Sequence, residues 1–427
     1  MYILKKIDEI CLKIFSNKVI VSCLIITTLA ITAVYLCMAS VLNPWSVKLP
    51  ALDSAVWLRC GVGMLQGDIM YVDMWDHKGP VLFLIHYLGL AMTPHSITGV
   101  WIMECISLFA ALLGFYFVTS LVTENRLVRV VSVLGSMHGY YYYFAEGDIV
   151  EEWALPFIAF SLFFFGRYLK TSELKEIHIF LTGVFCAISF LLNGNLVSVW
   201  GAFVPIIFIK LIVEKNWKHL RKCFIYFLSG LLLVVFITAG VLVIHGALEE
   251  FLQAYFGFNN SYIEGNTLSN LYSAVITSAY KEPWFGYVHV GSLIILLHQR
   301  KMDWKYSTFL YSCVSLVLLN MSGRQYEHYS MQLVPCMVIP AAVMADALFR
   351  LCKDNKEFIF ILALLFIVWV RFDINDYTDK IKNTMNSADR NDYAGGKVEN
   401  YLIVNEWINY RWTDEQIEEW VINDAQR

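Results

Sequence analysis

Three short stretches of this chain gather side chains able to hold an anionic group and to move a proton. The first runs from "ALDSAVWLRCGVGML" to "YVDMWDHKGPVLF" and carries Asp53, Asp73, Asp76, His77 and Lys78. The second, "FAEGDIVEEW", places Glu146, Asp148, Glu151 and Glu152 within seven positions. The third, "SGRQYEHYS", supplies Arg324, Tyr326, Glu327 and His328. Arginine grips a phosphate with a planar fork and lysine does so as a point charge. A carboxylate positioned beside a hydroxyl can take its proton. Phosphate-holding cations, Lys78 and Arg324, beside candidate bases, Asp53 first and Asp73 or Asp76 after it, fit a transfer involving a phosphate ester. The first two stretches also have plainer readings. Asp53 suits a helix cap, Glu151 and Glu152 suit the positive end of a helix dipole, and Asp76, His77 and Lys78 suit an interfacial salt bridge with a snorkelling ammonium.

The elements that must hold these residues are membrane spans. The 427 residues are 58% hydrophobic and 16% charged, against about 45–50% and about 25% in soluble domains. Long apolar runs such as "VIVSCLIITTLAITAVYLCMASVL" meet the length of roughly 20 residues that a helix needs to cross a bilayer. Spans are expected to begin near Val19, Thr98, Leu127, Glu152, Ile177, Leu196, Cys223, Pro283, Tyr306, Tyr329 and Glu357, about eleven in all. The connections "ENRLVR", "RYLKTSELKE", "KLIVEKNWKHLRK", "HQRKMDWK" and "RLCKDNK" alternate along the chain and are all basic. The positive-inside rule puts them, with the N-terminus, in the cytoplasm. All three chemical stretches then face outward. The net charge of −4 and the absence of one basic face set nucleic acid aside as a partner. The ten scattered cysteines read as buried thiols.

The first outer segment is long for a simple loop. Within it Ala55, Leu58, Val62 and Leu65 recur at helical spacing, and "PVLFLIHYLGLAM" is too short to span, so two helices along the membrane surface are expected there. The tyrosines of "GYYYYF" read as part of an interfacial aromatic belt. The division expected is a transmembrane unit over 1–372 and an outward tail or small helical cap over 373–427.

These residues resemble the GT-C membrane glycosyltransferases that use polyprenyl-phosphate sugars, including the lipid A aminoarabinose transferase, the protein O-mannosyltransferases and their bacterial relatives. The match runs from about Leu49 to Pro335, "DHKGP" in the long first outer loop is its most specific part, and with "EEWALP" after it the chain most resembles a bacterial branch that carries both motifs. The resemblance implies an all-α polytopic fold with a long first outer loop, Asp53 as the catalytic carboxylate, and Lys78 with Arg324, His77, Tyr326 and His328 at the donor phosphate. It also implies an acidic second loop in Glu146, Asp148, Glu151 and Glu152. The activity implied is inverting transfer of a sugar to an extracytoplasmic glycan, lipid or polymer, in a bacterial plasma membrane and among its lipids. No cofactor is certain: oxygen ligands of the first and second loops leave room for a divalent metal, magnesium or manganese, but nothing in the residues fixes a coordination set. The chain departs from the pattern at Ser54, where many members carry a second acid, and at "LLNGN", where an arginine is usual. A secondary transporter or a lipid or polysaccharide flippase is the alternative. It would place ionisable groups near the bilayer midplane, whereas here they crowd on one face.

Overall fold

The computed structural model describes residues 17–46, 52–138, 140–144, 146–261, 272, 283–300, 303–321, 323–324, 326–353, 375–385, 398–408, 413–415 and 417. Among them there is helix and no strand, with one isolated bridge between Met70 and Met74. In chain order the elements begin with α1 (Lys18–Cys37), α2 (Leu52–Gln66), α3 (Pro80–Met92), α4 (Thr98–Ser120), α5 (Arg126–Ser136) and the short α6 (Tyr140–Tyr143). They continue with α7 (Val150–Thr171), α8 (Glu176–Phe190), α9 (Ser198–Val213), α10 (Trp217–Ile244) and α11 (Leu248–Leu252), which runs into a π-helical turn (Gln253–Phe258). Then come α12 (Pro283–His298), α13 (Ser307–Asn320), a 3-10 turn (Glu327–Leu333), α14 (Val334–Lys353) and, in the tail, α15 (Val398–Trp407).

Four helices among the described residues have by themselves the length and apolarity to cross a membrane: α1, α4, α10 and the continuous run Glu327–Cys352. Helix α10 has 28 residues, about 42 Å of rise, and presents Phe236, Ile237 and Ile244 outward. Apolar side chains displayed along such a length belong in hydrocarbon. The expected span near Leu127 is α5, with 11 residues and about 16 Å of rise, so it cannot cross alone. The expected span near Glu357 lies outside the described residues.

Small residues set the closest crossings. A Cβ added at Gly183 would sit 2.1 Å from the Phe227 carbonyl oxygen, and one at Gly230 would sit 2.1 Å from that of Phe180. Helices α8 and α10 therefore approach backbone to backbone, as small residues allow in a membrane. Gly114 against Ala159 does the same between α4 and α7.

Side-chain bonds identify the two ends of the bundle. At one end Arg126 donates to the Lys18 carbonyl at 3.3 Å, Lys170 to that of Leu121 at 2.7 Å and Lys210 to Ser172 at 3.0 Å. Arg350 pairs there with Asp346, which also accepts from Thr123. The basic connections are thus gathered at a single end. At the other end Val41 donates to the Glu146 carbonyl, and Gly79 to that of Leu192. The tail helices dock at this second end. Tyr377 donates to the Leu36 carbonyl at 2.6 Å, and α15 packs on α2 with Trp407 against His95.

Candidate active site

Helix α2 buries Ala55, Leu58 and Val62 as its spacing demands, and carries Asp53 in its first turn. The cap expected of Asp53 is thus a first-turn position. The helix dipole favours its charge there and the side chain is exposed. The chain then turns back through Gly67 and Tyr71, with φ of 104° and 74°. Asp73 closes this turn by accepting from the Ile69 amide at 2.7 Å, so its carboxylate is engaged in local structure.

The "DHKGP" segment is a docked turn. Asp76 accepts from the Lys78 amide at 2.7 Å, and the Tyr71 hydroxyl donates to the Lys78 carbonyl at 2.8 Å. Gly79 and Val81 donate to the carbonyls of Leu192 and Leu191, at the end of α8. A Cβ at position 79 would fall 1.8 Å from the Leu191 oxygen, so only glycine fits. Pro80 opens α3, where a missing amide costs nothing. The backbone of "LLNGN" is therefore the seat of the Lys78 turn.

Burial pushes the Asp76 carboxyl up to about 6, the Lys78 charge opposing and the Asp53 charge adding to the rise. Burial, then the charges of Lys78 and Arg324, push His77 down to about 3. His77 is therefore a neutral ring at pH 7. It sits 5.1 Å from the Phe258 ring and 6.3 Å from that of Trp75. From the second stretch Glu151, 2% exposed, lies in the fields of His328, Lys78 and Asp53. From the third, Arg324 reaches the Tyr326 hydroxyl at 3.5 Å, and Tyr326 stacks on His328 with ring centroids 5.6 Å apart. The fold thus brings Asp53, Asp76, His77, Lys78, Glu151, Arg324 and His328 into one electrostatic neighbourhood, from segments more than 270 residues apart. Glu327 is exposed at the start of the 3-10 turn.

The rest of the second stretch points elsewhere. Asp148, 1% exposed, accepts from Ser54 at 2.6 Å, from Trp153 at 3.0 Å and from His86 at 2.9 Å. Its own amide donates to Glu104 at 2.8 Å, and Ser40 donates to the same oxygen. Glu152, fully buried, accepts from Tyr140. Tyr140 and Tyr143 are themselves buried, so these two tyrosines are core and not an aromatic belt. Tyr140 donates to Glu152 and stacks on Phe144 with ring centroids 5.0 Å apart, which is why it turns inward. Glu146 lends its carbonyl to Val41.

Sequence reasoning missed His86 and Glu104, each a lone ionisable residue inside an apolar helix. That isolation was the available signal, since such groups enter apolar helices at a cost and need partners. A divalent metal finds no ready cage: no group of three potential ligands converges among the described residues. Asp76 spends an oxygen on the Lys78 amide and Asp148 spends both on neighbours. No step is derived through a metal.

Comparison with known proteins bears on the fold. No family model matches the sequence, and no curated protein matches it. Solved structures do match in fold. The Archaeoglobus fulgidus oligosaccharyltransferase tethered with an acceptor peptide has TM-score 0.55 at 12% identity, covering 88% of this chain and 59% of its own. ArnT from Cupriavidus metallidurans bound to undecaprenyl phosphate has TM-score 0.54 at 11% identity, covering 94% and 71%. The archaeal AglB in complex with an inhibitory peptide and a dolichol-phosphate has TM-score 0.52 at 11% identity, covering 86% and 56%. This chain is an all-α polytopic membrane protein with the GT-C fold of those enzymes, and it spans only part of their length.

Proposed function

We propose that this protein transfers a sugar from a polyprenyl-phosphate donor to an acceptor hydroxyl with inversion at the anomeric carbon. The observation that carries the reading is that Lys78 and Asp53 both act on the buried Asp76, and Lys78 and Arg324 both act on the neighbouring His77, at one end of a membrane bundle. The exposed Asp53 takes the proton of the attacking hydroxyl. The new bond forms at the anomeric carbon as the bond from that carbon to the phosphate oxygen breaks. The electron pair leaves with polyprenyl phosphate, whose charge Lys78 and Arg324 hold. Neutral His77, Tyr326 and His328 line the phosphate side, with the buried Glu151 beside them. A cavity of about 530 Å3 adjoins the Lys78 turn, lined by Tyr71, Val81, Leu84, Val241 and Leu242 among others, and suits a prenyl chain.

The orientation that accompanies this reading sets the basic end in the cytoplasm and the site outside a bacterial plasma membrane. The acceptor is then an extracytoplasmic glycan, lipid or polymer. The described tail helices, over 375–385 and 398–407, lie at the site end, and the division proposed is a transmembrane unit over 1–372 and an outward tail or small helical cap over 373–427. Incubating the purified chain with radiolabelled polyprenyl-phosphate sugars and envelope acceptors tests the proposal. Labelled product of inverted configuration is expected, and the absence of any transfer across a panel of donors overturns it.

A further inference from the structure

The buried pair His86–Asp148 is not used by the reaction as written, yet it stands directly behind Asp53. His86 is fully buried in α3, with its ring 5.9 Å from Trp57 and 6.3 Å from Trp153. Its Nδ1 lies 2.9 Å from the Leu82 carbonyl oxygen, which can only accept, so that nitrogen carries a hydrogen. Its Nε2 lies 3.0 and 2.9 Å from the two Asp148 oxygens, so a second proton is held between ring and carboxylate. The backbone before this carboxylate is strained into place, with φ of 84° at Gly147 and 53° at Asp148.

Beyond His86, Asp148 accepts from Trp153 Nε1 at 3.0 Å and from Ser54 Oγ at 2.6 Å. Ser54, Trp57 and Gly61 lie on one face of α2, and a Cβ at Gly61 would meet the His86 Cβ at 3.0 Å. The helix is therefore bonded to Asp148 at Ser54 and packed closely on His86 at Gly61, about 10 Å further along its axis, so both points meet the His86–Asp148 unit. A helix held twice on one face cannot turn about its axis. Asp53 is the residue next to Ser54, about 100° round the helix, and is turned outward into the neighbourhood of Lys78 and Glu151. A serine suits position 54 because its hydroxyl donates to Asp148, where a second carboxylate would repel it.

We infer that His86, Asp148 and Ser54 form a positioning unit that fixes the rotation of α2 and so aims the Asp53 carboxylate. The inference rests on the transfer reading above and adds to it residues that touch neither donor nor acceptor. The test measures kcat and donor KM for Ser54→Ala, Ser54→Thr, His86→Gln and Asp148→Asn, each also combined with Asp53→Asn. Amide hydrogen exchange over 52–58 is followed in the same purified proteins. In Ser54→Ala, His86→Gln and Asp148→Asn, kcat should fall on the order of 10²-fold, as misplacement of a reacting group costs, with donor KM unchanged. Ser54→Thr should restore the rate, the loss should vanish in the Asp53→Asn background, and exchange over 52–58 should quicken in Ser54→Ala. An unchanged kcat, or an equal fractional loss with and without Asp53, reduces the unit to core packing and overturns the inference. If His86→Gln does not fold, the Ser54 pair decides alone. If the unmodified protein transfers no sugar while Ser54→Ala still loosens 52–58, the transfer reading fails and the tether stands; unchanged exchange removes the tether in either case.

Discussion

Asp53 and Ser54 are neighbours with opposite surroundings, one exposed and one 1% exposed against Asp148. Because Asp53 holds no buried bond, Asp53→Asn should leave folding nearly intact, losing at most the dipole contribution of about 0.3–1 kcal/mol. Transfer should nonetheless drop on the order of 10²–10⁴-fold, the usual contribution of a positioned base; single-turnover rates on purified protein check this. Lys78→Ala and Arg324→Ala should each raise donor KM roughly tenfold or more, from loss of a charge-assisted contact of about 1.5–3 kcal/mol. Isothermal binding of polyprenyl phosphate gives the same comparison without chemistry. Asp76 and His77 make opposite forecasts with pH. The folded Asp76 carboxyl sits at about 6, above its ordinary 3.8, so its charged form costs stability that accrues as pH rises from 3.8 through 6. Folded His77 sits at about 3, below its ordinary 6.5, so stability is lost as pH falls from 6.5 towards 3. Asp76→Asn should therefore raise Tm at pH 7.5 and leave it unchanged near pH 3.5, while His77→Asn should flatten the acid side. Differential scanning in detergent across that range reads both slopes.

At the scale of elements, the Lys78 turn depends on its fit against the end of α8. Gly79→Ala puts a carbon 1.8 Å from the Leu191 oxygen, a backbone atom that cannot swing away. The turn must then lift off, and the variant should lose several degrees of Tm together with donor binding, an effect in the severe class of several kcal/mol. Gly67→Ala is the control. Its φ of 104° is unfavourable for alanine, yet nothing lies within 4 Å of the added carbon, so a cost of only about 1–3 kcal/mol and no specific loss of donor binding are expected. Thermal melts and donor titrations of the two variants separate fit from strain. The helical spacing of Ala55, Leu58 and Val62 and the Pro80 start of α3 were legible in the sequence because a helix buries a stripe and proline begins one. The partner of the glycine was not, since Leu191 is more than a hundred residues away.

The whole molecule gathers basic connections at one end and the three chemical stretches at the other, which makes orientation a single binary question. Ser261→Cys, at the site end, should react in intact cells with an impermeant thiol reagent, and Thr171→Cys, at the basic end, should react only after lysis. Reversed labelling would turn the site to the cytoplasm and remove an extracytoplasmic acceptor from the proposal. Ser261 and Thr171 are both exposed, so access and not burial governs the result.

Composition and the lengths of apolar runs were enough to define a polytopic helical membrane protein, because hydrocarbon admits few other spanning structures. Charge in the short connections was enough to separate two ends, and "DHKGP" was enough to suggest where an anion would sit. What tertiary structure alone decided is which acids are available. Glu146, Asp148, Glu151 and Glu152 look alike along the chain, yet Glu151 shares electrostatic surroundings with Asp53 and Lys78, while Asp148 and Glu152 are consumed by His86, Ser54, Trp153 and Tyr140. The physical reason is that a buried carboxylate must find donors, and those donors arrive from α2, α3 and other helices whose meeting no local pattern encodes.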